Sequence, residues 1–227
     1  MEGVVVLAVV IIVVVAIAAI AFGQKARQDR IATMQAFAGK HRWDYVEQDD
    51  SYAKRWPGPP FSNGGTAKDL ISGEHRGRRF LSFTHTYTTS SYNGTTTTTQ
   101  NHVHAIHTLT LPDRVPALSV GAEGIFGGKV AEAFGFGRVD VGDAAFDDTF
   151  KVKSDNPDFA RAVLQPALVE HLKQTGPWDW RFAENSMINV EKGQVDPEAI
   201  TAHLDRMIEV LDRIDPSVWP GGQGHLR

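Results

Sequence analysis

The first apolar segment of the chain is continuous rather than periodic. Every residue from Val4 to Phe22 is apolar, and no charged residue lies between Glu2 and Lys25. These 19 residues rise about 28 Å as a helix, which matches the hydrocarbon core of a bilayer. We therefore predict a transmembrane helix that contacts the lipid bilayer through residues 4–22.

The charges on either side of this segment predict its orientation. Only the α-amine and Glu2 precede it, whereas Lys25, Arg27 and Arg30 follow it. Positive residues are enriched on the cytoplasmic side, so we expect the N-terminus outside and the soluble domain in the cytoplasm. A cleaved signal peptide with an exported domain is the alternative. Ala16-Ile17-Ala18 resembles a cleavage site, but the positive region that normally precedes a signal sequence is missing.

Two runs of alternating apolar residues predict strands in the middle of the chain. The first covers Arg79–Tyr87, and the second carries its apolar residues on the odd positions of Val103–Leu111. The Thr-rich stretch Thr88–Asn101 between them is expected to be a long polar loop. Shorter strand signals occur near Ala117–Val120, Val139–Val141, Phe150–Val152, Trp178–Phe182 and Met187–Val190.

Helical spacing and capping residues predict the remaining elements. Residues 24–40 continue as a polar helix with a narrow apolar side, and Asn156 followed by Pro157 starts another helix that Pro166 should kink. Asp196 followed by Pro197 starts the last helix. Its apolar stripe consists of Ile200, Leu204, Met207, Leu211 and Ile214.

These elements predict an α+β fold. Strands precede helices without regular alternation, which is typical of an antiparallel sheet with helices packed on one face, here following an N-terminal transmembrane helix. We divide the chain into an anchor over residues 1–23, a single globular domain over residues 24–219 and a flexible tail over residues 220–227.

Composition excludes several classes of protein. The chain has 23 Lys and Arg against 27 Asp and Glu, a net charge of −4. A nucleic-acid partner is not expected, because binding to phosphates requires a basic excess. The absence of cysteine excludes disulfides, thiolate metal ligands and a cysteine nucleophile.

The histidines of the two central strands are weak candidates for a metal site. His102 and His104 share one face of their strand, and a His-x-His pair can supply two ligands. A tight turn at Asn93-Gly94 would pair His85 with His102 and complete a three-histidine cluster. The hydrophobic pattern favours another register, in which His85 and His107 point inward while His102 and His104 point to the other face.

Other motifs of catalysis and cofactor binding fail. Gly128-Lys129 is preceded by Glu123 where a phosphate loop needs glycine, and it is followed by valine rather than Ser or Thr. No Gly-x-Gly-x-x-Gly or Gly-x-Ser-x-Gly occurs. The acidic group from Asp140 to Asp148 lacks the spacing of a calcium loop. We therefore predict no cofactor and no catalytic residues.

Basic residues at two places are candidates for contact with anionic lipid headgroups. One group follows the apolar segment, and the other lies at a predicted hairpin turn. Each charge near a membrane surface contributes about 1 kcal/mol. The candidates are Lys25, Arg27, Arg30, Arg76, Arg78 and Arg79.

Three segments resemble a pattern of uncharacterised single-pass membrane proteins of the actinobacterial type. They are Ile71–Phe80 (ISGEHRGRRF), Gly142–Asp147 (GDAAFD) and Phe150–Val152 (FKV). The shared residues are turn glycines, strand aromatics and a strand-to-helix corner. The resemblance implies a soluble α+β domain behind a short anchor, and it implies no activity.

The sequence therefore favours a membrane-tethered cytoplasmic interaction or scaffolding domain without enzymatic activity. Its partner would be a protein or the membrane surface. The alternative is a ligand-binding or hydrolytic domain whose site is assembled only in three dimensions. A deep pocket with convergent ionisable groups would distinguish the two hypotheses.

Overall fold

A computed structural model describes residues 2–122 and 136–219, and within the first helix it describes the side chains of residues 14, 15 and from 17 onwards. The helices of these residues are α1 (Glu2–His41), α2 (Ala144–Thr149), α3 (Pro157–Val163), α4 (Pro166–Thr175) and α5 (Ile200–Leu211). The strands are β1 (Asp44–Gln48), β2 (Thr66–His75), β3 (Arg78–Tyr92), β4 (Thr97–Thr110), β5 (Leu118–Gly121), β6 (Gly137–Arg138), β7 (Lys151–Ser154), β8 (Trp180–Ala183) and β9 (Ser186–Lys192).

The strands of the described residues form one sheet in the order β1-β2-β3-β4-β9-β8-β5-β7-β6. Every neighbouring pair is antiparallel. The α+β class and the antiparallel sheet are as the sequence predicts. The predicted tail, residues 220–227, and residues 123–135 of the glycine-rich region lie outside the described residues.

One face of the sheet carries the helices. The last turns of α1, together with α3, α4 and α5, contribute to a single apolar cluster that includes Trp180 and Phe182 of β8. Pro166 divides the predicted helix into α3 and α4, because Leu164 and Gln165 leave helical geometry before it. All five residues of the predicted stripe in the last helix, Ile200, Leu204, Met207, Leu211 and Ile214, are buried.

The opposite face of the sheet is covered by the segment between β1 and β2. Two short 3-10 helices, Asp50–Lys54 and Phe61–Asn63, hold Trp56 and Phe61 against the central strands. The central strands are therefore buried on both faces, and residues 104–109 of β4 are buried without interruption.

The register of β3 and β4 corrects the prediction from hydrophobic alternation. His85 lies opposite His104, and Tyr87 lies opposite His102. Directly opposite residues of an antiparallel pair point to the same face, so His102 and His104 do not face away from His85. Alternation was misleading because both faces of these strands are buried. The turn spans four residues, Asn93–Thr96, rather than a tight Asn-Gly pair.

The Thr-rich stretch predicted as a loop is instead a projecting two-stranded hairpin. β3 and β4 stay paired as far as Tyr92 and Thr97. The neighbouring strands stop earlier, because β2 last pairs at Thr86 and β9 last pairs at His104. Residues 88–101, the hairpin arm, are all exposed.

The hairpin arm and the free part of α1 leave the sheet at the same end. Arg27 of α1 pairs with Glu47 near the end of β1, and the adjacent Gln48 lies opposite Lys68 near the start of β2. The arm begins where β2 starts. Six residues of strand beyond Thr86 extend about 20 Å.

The first helix is continuous from Glu2 to His41 and includes the predicted polar helix over residues 24–40. A search of the described residues finds no helix that is both long enough and apolar enough to cross a membrane. They therefore give no support to the predicted span of residues 4–22, of which residues 4–13 and 16 lie outside the described side chains. The described apolar side chains of this region are strongly exposed, from 59% at Val14 to 77% at Phe22.

Candidate functional site

The structure brings the three candidate histidines to one face at the base of the hairpin arm. The Tyr87 ring stacks on His102, with ring centroids 4.6 Å apart, and lies 5.8 Å from His104 in a similar orientation. His85 is fully buried beside Phe61, with ring centroids 5.2 Å apart. The result is a mixed aromatic and imidazole cluster.

Two ring nitrogens of this cluster are hydrogen-bonded to neighbouring groups of the chain. His85 Nε2 donates to the carbonyl oxygen of Ala53 at 3.3 Å, and His102 Nε2 is hydrogen-bonded to Thr89 at 2.8 Å. Burial lowers the pKa of both His85 and His104, and each imidazole is therefore neutral at pH 7. Across residues 2–122 and 136–219, no group of three or more His, Asp and Glu side chains has the arrangement of a metal site.

A second histidine cluster lies in the core on the helical face. The Ser82 hydroxyl and His107 Nδ1 are 3.0 Å apart, and the His107 ring stacks on His203 of α5 at 4.4 Å. His203 Nδ1 in turn lies 3.2 Å from Glu191 Oε1. Burial, followed by the nearby His203, lowers the pKa of His107 to about 3.

This second cluster contains the serine, histidine and glutamate of a hydrolase site, but a substrate cannot reach the serine or His107. Ser82 is completely buried and His107 is 1% exposed. A nucleophile must reach a substrate carbonyl, and its base must exchange a proton with the leaving group. The Ser82–His107 pair therefore acts as a buried hydrogen bond between two strands.

A cavity at the other end of the sheet has a more unusual lining. Arg181 of β8 points to the face opposite Trp180 and Phe182 and is only 8% exposed. Its guanidinium carbon lies 5.7 Å from the centre of the Phe61 ring. Its Nε and Nη2 atoms have no hydrogen-bond partner in the part of the chain that the structure describes. Burial lowers the pKa of Arg181 to about 10, so the side chain stays charged at neutral pH.

The cavity beside Arg181 has a volume of about 350 Å³. Its walls include the apolar residues Val115, Ala117, Leu118 and Ala183, together with Ser119 of β5. Ser119 lies directly opposite Arg181 in the β5–β8 pair and therefore shares its face. This volume is at the lower end of the range of small-molecule sites.

The acidic residues at the cavity do not neutralise Arg181. Glu184 Oε2 lies 2.9 Å from Arg55 Nη1 and 3.5 Å from Arg114 Nη2. Asp155 is exposed. Among the described residues, neither carboxylate is within ion-pair distance of Arg181. The described lining of the cavity therefore contains two arginines, Arg114 and Arg181, and two carboxylates, Asp155 and Glu184, neither of which pairs with Arg181.

The six basic residues proposed for lipid headgroups are not brought together. Arg76 and Arg78 lie at the β2–β3 turn and pair with Asp205 of α5 and with Asp212 directly after that helix. This turn is near the C-terminal end of α1, about 21 Å along the helix from Arg27. Lys25, Arg27 and Arg30 lie at the other end of this part of α1. There Arg30 pairs with Asp69 at 2.6 Å, and Arg27 pairs with Glu47. Arg79 directly follows Arg78 in β3 and therefore lies near the β2–β3 turn.

Arg181 was missed because alternation around Trp178, Trp180 and Phe182 assigns it to a solvent-facing position. A signal was nonetheless present in the hairpin partner of that strand. Met187, Ile188 and Val190 of β9 are apolar on both faces, a pattern typical of a strand buried on both sides. A charged residue opposite such a strand should be buried as well, and Arg181 lies opposite Ile188.

No protein-family model matches the chain, and no curated protein sequence matches it. Among solved structures, it is similar to the crystal structure of the mycobacterial trehalose monomycolate transport factor A, TtfA. The TM-score is 0.53 at 17% sequence identity, and the similarity covers 79% of this chain and 88% of that chain. At this identity the likeness concerns the fold alone. No family model establishes the actinobacterial family that the sequence resembles.

Proposed function

We propose that this chain is a membrane-tethered interaction domain that holds a membrane-associated protein partner. The observation that carries the proposal is the exposed apolar part of α1. Val14, Val15, Ile17, Ile20 and Phe22 are each at least 59% exposed. In the sequence, every residue from Val4 to Val13 is apolar as well. A surface that is apolar all round requires a partner such as the acyl chains of a bilayer.

The orientation of the tether follows from the charges beside it. Lys25, Arg27 and Arg30 follow the apolar segment, and Glu2 precedes it. The positive side of an anchor stays in the cytoplasm, so the N-terminus lies outside and the domain lies inside. Lys25 and Arg27 are then the residues nearest the headgroups. The arginines at the β2–β3 turn point away from the membrane.

The hairpin arm is the surface that best fits a protein partner. Its outer backbone edges lack neighbouring strands among the described residues, because β2 and β9 both end before it. An unpaired strand edge is a template for a strand of another protein. The arm leaves the sheet on the same side as the free part of α1. An integral membrane protein beside the anchor is therefore the partner within its reach.

The neighbouring structure supports a role of this kind. The neighbour is a transport factor for trehalose monomycolate, and a factor that assists transport is compatible with an interaction or scaffold domain. The hydrolase alternative receives no comparable support, because the Ser82–His107 pair is closed off in the core. The ligand-binding alternative is favoured by the cavity at Arg181.

Replacing Ser90–Thr99 with an Asn-Gly turn is expected to remove the partner without unfolding the domain, since these residues are exposed beyond the sheet. The measurement is photo-crosslinking in the native membrane, followed by co-purification from detergent. A photoreactive residue at Tyr92, which is 69% exposed, should form a discrete membrane-protein adduct.

Two controls accompany this experiment. A photoreactive residue at Asp158, whose side chain is 98% exposed on α3, should give no such adduct. The shortened chain should keep the wild-type circular dichroism spectrum. Recovery of the same partner with the shortened arm would rule out the arm as the interaction surface.

A further inference from the structure

We propose that the cavity beside Arg181 binds a small anionic amphiphile, whose head group pairs with the guanidinium and whose apolar chain lies along the cavity wall. This site is independent of the membrane tether and of the hairpin arm. It assigns a ligand class to a part of the fold that the proposed interaction does not use.

The head group of the ligand is inferred from the unpaired guanidinium. Buried charged groups in proteins are almost always paired, yet Nε and Nη2 of Arg181 have no hydrogen-bond partner among the described residues. The planar guanidinium presents its donors as a fork that matches the two oxygens of a carboxylate or phosphate. The face of the Phe61 ring covers one side of the group but cannot accept these in-plane hydrogen bonds.

The charges around the cavity explain why the chain does not supply this anion itself. Glu184 lines the cavity three residues along the chain from Arg181, but it is paired with Arg55 and Arg114 instead. Its backbone lies in the left-handed region, with φ of 56°, at the turn between β8 and β9.

The apolar chain of the ligand is inferred from the cavity wall. Val115, Ala117, Leu118 and Ala183 present hydrocarbon next to the charged group. A hydrated inorganic anion would leave these side chains without contacts. A cavity of about 350 Å³ is suited to a single short chain rather than to a two-chain phospholipid.

The test is calorimetric titration of the full chain in lipid nanodiscs, with empty nanodiscs subtracted. Decanoate and decyl phosphate present the two kinds of head group on the same chain. At least one of them should bind saturably with one site per protein. Decanol, which lacks the charge, and acetate or inorganic phosphate, which lack the chain, should each bind at least tenfold more weakly. Equal binding of inorganic phosphate and decyl phosphate would overturn the proposal of an amphiphilic ligand. Failure of both decanoate and decyl phosphate to bind would overturn it as well.

Variants of the protein test the site itself. Arg181→Gln should weaken binding at least tenfold, and Ser119→Phe should do the same by filling the cavity while keeping the guanidinium. Arg138→Gln is the matched control, because Arg138 is an exposed arginine that pairs with Asp140, and it should bind as the wild type does. Unchanged binding in the Arg181 and Ser119 variants would overturn the proposal. Should one of these variants fail to fold, the other together with the ligand series still decides it.

Discussion

Replacing Arg181 with methionine is expected to stabilise the ligand-free protein by about 1–3 kcal/mol, the usual cost of an unsatisfied buried polar group. Burial lowers the pKa of Arg181 from 12.5 to about 10, which corresponds to roughly 3 kcal/mol of lost solvation of the charged form. Methionine fills a similar space with apolar atoms and needs no hydrogen-bond partner. Part of the gain is offset, because the contact of the guanidinium with the Phe61 ring is lost.

Urea unfolding of the full chain in detergent measures this effect. Arg138→Met is the matched control and should stay within about 0.5 kcal/mol of the wild type, as exposed substitutions usually do. A stabilised Arg181→Met variant that no longer binds the chain-bearing anion that the wild type binds would show that the arginine is retained for a ligand. A destabilised variant would mean that the guanidinium is well paired in the folded protein.

Acidification from pH 8 to pH 5 is expected to remove about 2 kcal/mol of stability through His107 alone. The pKa of His107 falls from 6.5 to about 3 on folding. Between these two pH values the unfolded chain therefore binds a proton at His107 and the folded chain does not. The contribution of neutral His107 to the free energy of unfolding is therefore complete above pH 6.5, and it is lost as the pH falls from 6.5 towards 3. Burial of the ring is the main cause, and the stacked His203 of α5 adds repulsion, while Glu191 of β9 opposes both effects.

Unfolding free energies at pH 8 and pH 5 test this expectation. The loss in His107→Gln should be smaller than in the wild type by about 2 kcal/mol, since glutamine does not titrate. Ser82→Ala removes the hydrogen bond to Nδ1 but leaves the ring buried, so it should retain most of the wild-type loss. An identical pH dependence in wild type and His107→Gln would mean that another group carries the acid sensitivity.

The elements that the sequence predicts well are those in which local signals agree with burial. Asn156 accepts a hydrogen bond from the backbone of Phe159, as its place before Pro157 predicts. Asp196 caps a 3-10 turn at Pro197 before α5. In both cases the capping residue, the proline and the apolar spacing indicate the same helix start.

The predictions that failed concern contacts set by the whole sheet. Hydrophobic alternation predicts register only when one face of a strand is exposed, and β4 is covered by α5 on one face and by the Trp56–Phe61 segment on the other. The Thr-rich arm carries no apolar pattern at all. Its strands are nevertheless in register, because Asn93 accepts backbone hydrogen bonds from Thr95 and Thr96 in the turn.

The Arg181 cavity was beyond prediction for a related reason. Its lining comes from β5, β8 and the segments beside them, which are neighbours only because β5 pairs with β8 across a long stretch of sequence. Hydrophobic periodicity describes single elements and does not indicate which strands pair with each other. The composition of a site assembled in this way is visible only in three dimensions.

The central claim, a cytoplasmic domain tethered by the N-terminal helix, is tested most directly by topology. The measurement is the activity of a reporter that works only outside the cytoplasm, fused after Arg227 and assayed on fractionated membranes. We expect an inactive reporter on membrane-retained protein, and release of the protein to the soluble fraction when residues 1–23 are removed. An active reporter, or a full-length chain in the soluble fraction, would contradict the account.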